Sequence, residues 1–274
     1  MKNIVIAAGY ATRLYPLTQN FPKPLLKIGK RTILDRMLDD LDNIQDIDSH
    51  IIVSNHKFAP IFQEWAKKRT EESPKRKPIR IIDDGTSTNE TRLGAVRDLL
   101  LAINSIENGE QSMLNGQCSM VNAQWSMVNN QWPDDIMVVA ADNILNFSFQ
   151  GFVDFFKAKN SSVIMCHHEP ELRKLQRTGV IAVDENMKVL EMQEKPEKPV
   201  SNWAVPPFYI YKKEDLPLIR DCMNHGCGFD APGNLAHYLV DVTTIHAWQM
   251  PGTRYDIGSL DSYQEAQVIF AEDK

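Results

Sequence analysis

Five short runs between residues 3 and 168 are apolar at almost every position: "NIVIAA" (3–8), "HIIVSN" (50–55), "IRIID" (79–83), "DIMVVAAD" (135–142) and "SSVIMCHH" (161–168). Continuous apolarity, as opposed to an apolar/polar alternation, is what a strand covered on both faces requires. Between these runs, Thr32–Leu41, Phe58–Arg69, Glu90–Ile106 and Phe152–Lys159 carry apolar residues at helical spacing. Strand and helix in regular alternation predict an α/β fold, a Rossmann-like, mostly parallel sheet flanked by helices. Such sheets bind ligands beyond the carboxyl ends of their strands.

After Arg177 the pattern changes. "TGVIAVDENMKVLEMQEKP" (178–196) reads as a hairpin turning at Asp184-Glu185-Asn186, and "WAVPPFYIY" (203–211) as a further strand. Helices follow near Lys213–Cys222 and Gly233–Val240, then a strand "TTIHAWQM" (243–250) and a last helix from Ser259. This is smaller α+β material laid against the sheet. The expected division of one domain, 1–274, is a core of 1–110 and 133–170, an insertion at 111–132 and an accessory part at 171–274. Within the insertion, Ser112–Trp132 is three near-copies of seven residues, SMLNGQC, SMVNAQW and SMVNNQW. Three heptads with Asn and Gly and no flanking charge pattern are too few for a coiled coil, so a surface insertion without catalytic role is expected.

The 274 residues are 43% hydrophobic and 24% charged with a formal charge of −6, so no basic field argues for nucleic acid. No leader peptide is visible and no apolar run is long enough to span a bilayer. Cys118, Cys166, Cys222 and Cys227 form no paired framework, and Cys222-His225-Cys227 fits no zinc spacing. The expectation is a reduced, cytoplasmic chain.

Chemistry concentrates in "IVIAAGYATRLYPLTQNFPKPLLKIG" (4–29). Ala7, Ala8 and Gly9 carry little or no side chain, so a ligand can approach the backbone, whose N–H groups form an anion-binding concavity. Arg13 adds a planar five-donor fork and Lys23 a point charge, with Pro22 and Pro24 limiting the backbone around it. The stretch reads as a triphosphate cradle. Two other phosphate motifs fail here. The dinucleotide fingerprint needs glycines where Ala11 and Leu14 stand, and Gly29-Lys30 lacks the upstream glycine and following Ser/Thr of a P-loop.

The same stretch resembles the signature of the sugar-1-phosphate nucleotidyltransferases, L-A-[AG]-G-x-G-T-R-L-x-P-L-T-x-x-x-P-K-P-L-L. The matching residues are Ala7-Ala8-Gly9, Thr12-Arg13-Leu14, Pro16-Leu17-Thr18 and Pro22-Lys23-Pro24-Leu25-Leu26, with Ala11 in place of the second glycine. The likeness continues in order along nearly the whole chain. It implies that Ala8, Gly9 and Thr12 bind nucleotide and that Asp84, Gly85 and Thr86, in "DDGTSTNETRLGAVRDLL", meet the nucleobase. It implies that Asp142, in "VVAADN", and Asp256, in "RYDIGSLDSYQEA", hold Mg²⁺, with Arg13, Lys23 and Asp142 catalytic. Gly179, Glu194, Lys195 and Val205 would contact the acceptor, so the core becomes nucleotide-binding and the accessory part acceptor-binding.

Residue by residue, the physics leaves alternatives. A carboxylate such as Asp142 at the end of a buried strand is costly unless paired, hydrogen-bonded or metal-bound, and could instead cap a following helix. Convergence of Asp142 and Asp256 on one metal rests on the resemblance, as does acceptor binding by Glu194-Lys195, which by composition could be a plain strand end. The activity implied joins an NTP, dTTP or UTP first, to a sugar 1-phosphate such as glucose 1-phosphate, giving an NDP-sugar and pyrophosphate. Two departures keep other readings open. Pro206-Pro207 stands where sugar-specific relatives carry Thr-Gly, and "TSTNE" follows Gly85 where many carry small apolar residues. A cytidylyltransferase acting on a non-sugar phosphate or phosphonate is one alternative, and a non-catalytic nucleotide-binding relative another. No nucleic-acid or membrane partner is expected, and homo-oligomerisation is left open.

Overall fold

The computed structural model describes residues 1–107 and 134–271, so the heptapeptide repeat lies outside the described residues. The strands are β1 (Lys2–Ile6), β2 (Lys27–Ile28), β3 (Arg31–Thr32), β4 (Ser49–Ser54), β5 (Ile79–Asp83), β6 (Ile136–Ala140), β7 (Asn143–Leu145) and β8 (Ser162–His168). They continue as β9 (Gly179–Val183), β10 (Val189–Glu194), β11 (Trp203–Val205), β12 (Phe208–Tyr211), β13 (Ile245–Gln249) and β14 (Arg254–Asp256). The helices are α1 (Ile33–Leu41), α2 (Ala59–Glu72), α3 (Ala95–Glu107), α4 (Gln150–Lys159), α5 (Leu172–Leu175), α6 (Leu216–Asn224), α7 (Pro232–Val242) and α8 (Leu260–Ile269).

Ten strands form one sheet in the order β10-β9-β11-β8-β12-β6-β1-β4-β5, with β13 also on β8. The core of it is parallel: β5, β4, β1 and β6 run together, and β13 runs with β8. Alternate residues of each core strand face opposite helices. Ile4, Ile51, Val53, Ile136 and Val138 join the cluster under α3, α6 and α7, while Val5, Ile52, Met137 and Val139 join that under α1, α2 and α4. Both faces are dry, which is why these runs read as continuously apolar.

The run "WAVPPFYIY" is one strand only in sequence. Trp203 and Ala204 pair with His168 and His167 of β8, whereas Tyr209 and Ile210 pair with Ile164 and Val163 of the same strand. The register shifts by two between them, because Pro206 and Pro207 have no N–H to give the ladder. The two halves diverge on their far sides. Strand β12 closes on β6 and β11 on β9, so the antiparallel β9–β10 hairpin leaves the core sheet at the two prolines.

Two further features differ from expectation, the start of α3 and the state of the cysteines. Helix α3 starts at Ala95 instead of Glu90, since Gly94 has φ +92° and its Cα lies against the Phe229 carbonyl, where a Cβ would come within 2.5 Å. Within α2, Arg69 is buried and bonds Asp35, Asp39 and Asp42 at 2.7–2.8 Å, bracing α2 against α1 and its C-cap. The cysteines are not all free. Cys222, in the last turn of α6, and Cys227 form a disulfide across the reversal at Gly226, where φ is +73° and Cys227 N–H returns to the Cys222 carbonyl. This corrects the expected reduced chain at that pair, and it leaves Cys222 and Cys227 no thiols for a metal. Cys166 is a buried free thiol.

A third, small core lies beyond the carboxyl edge. Leu14, Leu26, Ile28, Ile33, Ile144, Ile257 and Ala266 pack together, tying the loop after β1 to β7, β14 and α8. Helix α8 is started by a reciprocal Ser259/Ser262 cap. Its Tyr263 hydroxyl and Gln267 amide both donate to the Lys27 carbonyl, at 2.8 and 2.7 Å, and Gln267 Oε1 accepts from Gly29 N–H.

Candidate active site

The carboxyl ends of β1, β4, β5 and β6 lie on one edge of the sheet, and most of the residues singled out above collect there. Ala8 follows β1 and is buried, with its carbonyl accepting from Asn55 Nδ2 at 3.0 Å; Gly9 is exposed and has open space where a Cβ would stand. The next turn is helical over Thr12–Leu14, with Thr12 and Arg13 exposed and Leu14 buried in the third core. Ala11, at the position of the signature's second glycine, is left-handed at φ +48°, ψ +43°. The substitution therefore changes more than bulk: the backbone here still has the conformation that glycine adopts without cost.

Lys23 begins a second short turn, and its side chain is almost wholly buried. Its Nζ donates to Asp142 Oδ2 at 2.9 Å, across 119 residues of sequence. Asp142 is the second residue past β6, and its Oδ1 accepts from Asn143 Nδ2 at 2.6 Å. Asn143 is itself held by Arg254 Nη1 at 2.6 Å. Strands β7 and β14 then align Asp256 opposite Asn143, and Ile257 N–H donates to the Asp142 carbonyl at 3.1 Å. Asp142 and Asp256 thus stand side by side on adjacent segments. Asp256 still reaches solvent, yet its carboxyl is raised above the ordinary range, first by the surrounding protein and then by the facing Asp142 charge. Arg254, Lys23 and Arg13 oppose that rise, so all three cations face the carboxylate pair.

The predicted nucleobase loop follows β5. Asp84 is buried, and its Oδ1 accepts both Thr86 N–H and Thr86 Oγ1–H at 2.7 Å. Gly85, left-handed at φ +77°, donates its N–H to Asp83 Oδ1. The Thr86 carbonyl accepts from the Tyr10 hydroxyl and from His56 N–H, which fastens this loop to those after β1 and β4.

Three predicted acceptor residues form one row across strands, Glu194–Gly179–Val205. Because β12 pairs Phe208 with Val139 of β6, Val205 lies past the end of β6, on the side of Asp142. Gly179 is where Glu194 and Val205 close in, both 3.3 Å from where a Cβ would be. The Glu194 carboxylate rests on Gly233 in the first turn of α7, with no room for a Cβ between them. Burial raises the Glu194 carboxyl, partly offset by the Lys195 ammonium. Lys195 is exposed and left-handed at φ +50°, with its Nζ 3.8 Å from Glu194.

Sequence reasoning passed over Asn143, Arg254 and Asp98. Asn143 directly follows Asp142, and Arg254 precedes Asp256 by two, which in a strand is the same face. Asp98 sits three residues after Ala95 and four before Ala102, on the apolar stripe of α3, where a carboxylate is out of place. It is buried, and its carboxyl is pushed up to about 8 by burial and then by the Asp84 charge.

Comparison with known proteins bears on the family and the fold. A glucose-1-phosphate adenylyltransferase from Clostridium novyi (strain NT) is 23% identical over 286 residues, spanning 100% of this chain and 68% of its own length. A UTP–glucose-1-phosphate uridylyltransferase from Haloferax volcanii is 23% identical over 282 residues, 100% of this chain and 98% of that one. A solved Bacillus anthracis structure, described as a glucose-1-phosphate thymidylyltransferase with a sucrose, superposes with a TM-score of 0.74 at 19% identity, covering 99% and 96% of the two chains. The homologues are sugar-1-phosphate nucleotidyltransferases, and the fold is theirs. The nucleotidyl transferase family model matches residues 2–273, and the chain belongs to that family.

Proposed function

We propose that this chain joins an NTP to a phosphorylated small-molecule acceptor, a sugar 1-phosphate such as glucose 1-phosphate, releasing pyrophosphate. An acceptor phosphate oxygen bonds to the α-phosphorus as the bond from that phosphorus to the β-phosphate's bridging oxygen breaks. The nucleophile is already an anion, so catalysis reduces to alignment and neutralisation of charge. The observation that carries this reading is the buried Lys23 on Asp142 with Asp256 on the neighbouring strand. Lys23 holds charge beside the α-phosphate, Arg13 holds the departing pyrophosphate, and Lys195 the attacking phosphate.

Two hard-oxygen carboxylates whose charges oppose one another fit Mg²⁺, which takes one or two carboxylates plus phosphate oxygens. No cluster of three ligating side chains occurs among the described residues, so the substrate would complete the shell. Bound to Asp142 and Asp256, the ion would neutralise charge building on the leaving group.

One observation favours a second acceptor class. Pro206 and Pro207 give that stretch of backbone no N–H for a sugar hydroxyl, and the Phe208 N–H is turned back to the Pro206 carbonyl. A phosphorylated alcohol or a phosphonate needs no such donor. Pyrophosphate release with Mg²⁺ across five NTPs, against glucose 1-phosphate, N-acetylglucosamine 1-phosphate, phosphocholine and a hydroxyalkyl phosphonate, separates the two, with Asp142→Asn as blank. Turnover with a sugar phosphate supports the first reading; silence everywhere with NTP binding intact supports a binding protein without catalysis. A cytoplasmic site fits NTP use, and no described helix is long and apolar enough to cross a membrane. The Cys222–Cys227 disulfide counts against a reducing compartment, where such bonds are transient.

A further inference from the structure

Residues 84–86, expected to meet the nucleobase, have spent their donors. Asp84 N–H goes to the Ser54 carbonyl, Gly85 N–H to Asp83 Oδ1 and Thr86 N–H to Asp84 Oδ1. The Thr86 hydroxyl also donates to Asp84 Oδ1. The exposed Gly85 carbonyl is left, and among the described residues it accepts no hydrogen bond. Next to it Asp84 Oδ2, on a residue 7% exposed, is a further acceptor without a partner among the described residues.

The surrounding charge has the same sign. Asp83, Asp84 and the exposed Glu90 all act on the Tyr10 hydroxyl that braces the loop, raising it along with burial. His56 bonds Asp83 at 2.6 Å and partly offsets Asp84 as well, though burial and the Asp83 charge still raise the Asp84 carboxyl. Arg92, the nearest cation in the following turn, is turned away to Asp230, and Arg97 lies over the Phe229 ring.

Uracil and thymine present an imide edge, one N–H between two carbonyl oxygens. Those oxygens need donors, which backbone 84–86 does not offer, and they are repelled by the carboxylates. An exocyclic amino group brings two N–H donors to a negative, acceptor-rich rim. We infer that the nucleobase taken by this site is amino-bearing, that is cytosine, adenine or guanine, and that uracil and thymine are discriminated against. The inference rests on the nucleotidyl-transfer reading and departs from the dTTP or UTP first expected from sequence.

Calorimetry of the full chain with Mg²⁺ and CTP, ATP, GTP, UTP, dTTP and ITP tests it. At least one of CTP, ATP and GTP should bind about tenfold or more tightly than UTP and dTTP, the worth of one well-made hydrogen bond. If GTP is preferred, ITP, which lacks its amino group, should lose that advantage. Asp83→Asn keeps an oxygen for Gly85 N–H but removes charge, so the preference should narrow several-fold. UTP or dTTP binding as tightly as the amino-bearing set would overturn the inference while leaving nucleotidyl transfer standing. A folded chain that binds no NTP would overturn both.

Discussion

Replacing Lys23 with methionine keeps the stem and removes the charge. Lys23 is 6% exposed and 2.9 Å from Asp142, so its ammonium acts in a partly desolvated setting. At about 4 Å and an effective dielectric of about 20, one unit pair is worth about 4 kcal/mol. A phosphate charge that develops beside Lys23 loses that stabilisation, which is about a thousandfold in kcat. Stability should change far less. The Asp142 side chain is 39% exposed and can rehydrate, and methionine fills the same channel, so about 1 kcal/mol and a few degrees in Tm are expected. The assay is steady-state pyrophosphate release at saturating NTP and acceptor beside a thermal melt, with Lys23→Arg as the charge-retaining control. A Lys23→Met rate within tenfold of the parent would refute the role given to this cation. So would a loss of rate matched by a collapse of the melt.

Gly233→Ala places a methyl where the Glu194 carboxylate lies; acceptor KM should rise about tenfold, with NTP affinity by calorimetry unmoved. Ala11→Gly relieves a left-handed alanine, and after the entropy of the new glycine should raise Tm by about 1–2 °C, whereas Ala11→Val should lower it. Asp98, raised to about 8, binds its proton more tightly folded than unfolded, so its contribution is present at low pH and is lost as pH rises from about 4 towards about 8. Asp98→Asn should therefore gain Tm over the parent progressively from about pH 5 to about pH 8, and parallel melting curves would contradict the assignment.

How much of this was legible depended on the range of the interactions. The core strands could be read because burial on both faces leaves no polar position in Ile4–Ile6 or Ile136–Val139. Asp142, Arg13 and Lys23 were singled out because a signature fixes them within short stretches, and the structure brings Lys23 onto Asp142. The break at Pro206-Pro207 was visible as lost donors, but not as the point where the sheet divides, since that depends on which strands flank β11 and β12. Strands β7 and β14 are three residues each and exist through pairing with one another, so neither has a pattern of its own. The start of α3 is set by Phe229, far along the chain, and the Cys222–Cys227 bridge by the reversal at Gly226. Asp98 could have been found: a lone carboxylate on an apolar helical stripe is a local signal.

The brace that α8 gives the segment after β1 has a consequence for how the protein comes into being. Arg13, Lys23 and Lys27 are translated long before Tyr263, whose hydroxyl holds Lys27 from 236 residues later. At about 5–20 residues per second, the nascent chain spends roughly ten to fifty seconds with its first strands made and that loop unclamped. Asp256, the partner of Asp142, emerges only just before the clamp itself. The loop carrying Arg13 and Lys23 therefore gains this support only once α8 has emerged. A ribosome that stalls before α8 leaves a sheet whose Lys27 carbonyl has lost both of those donors.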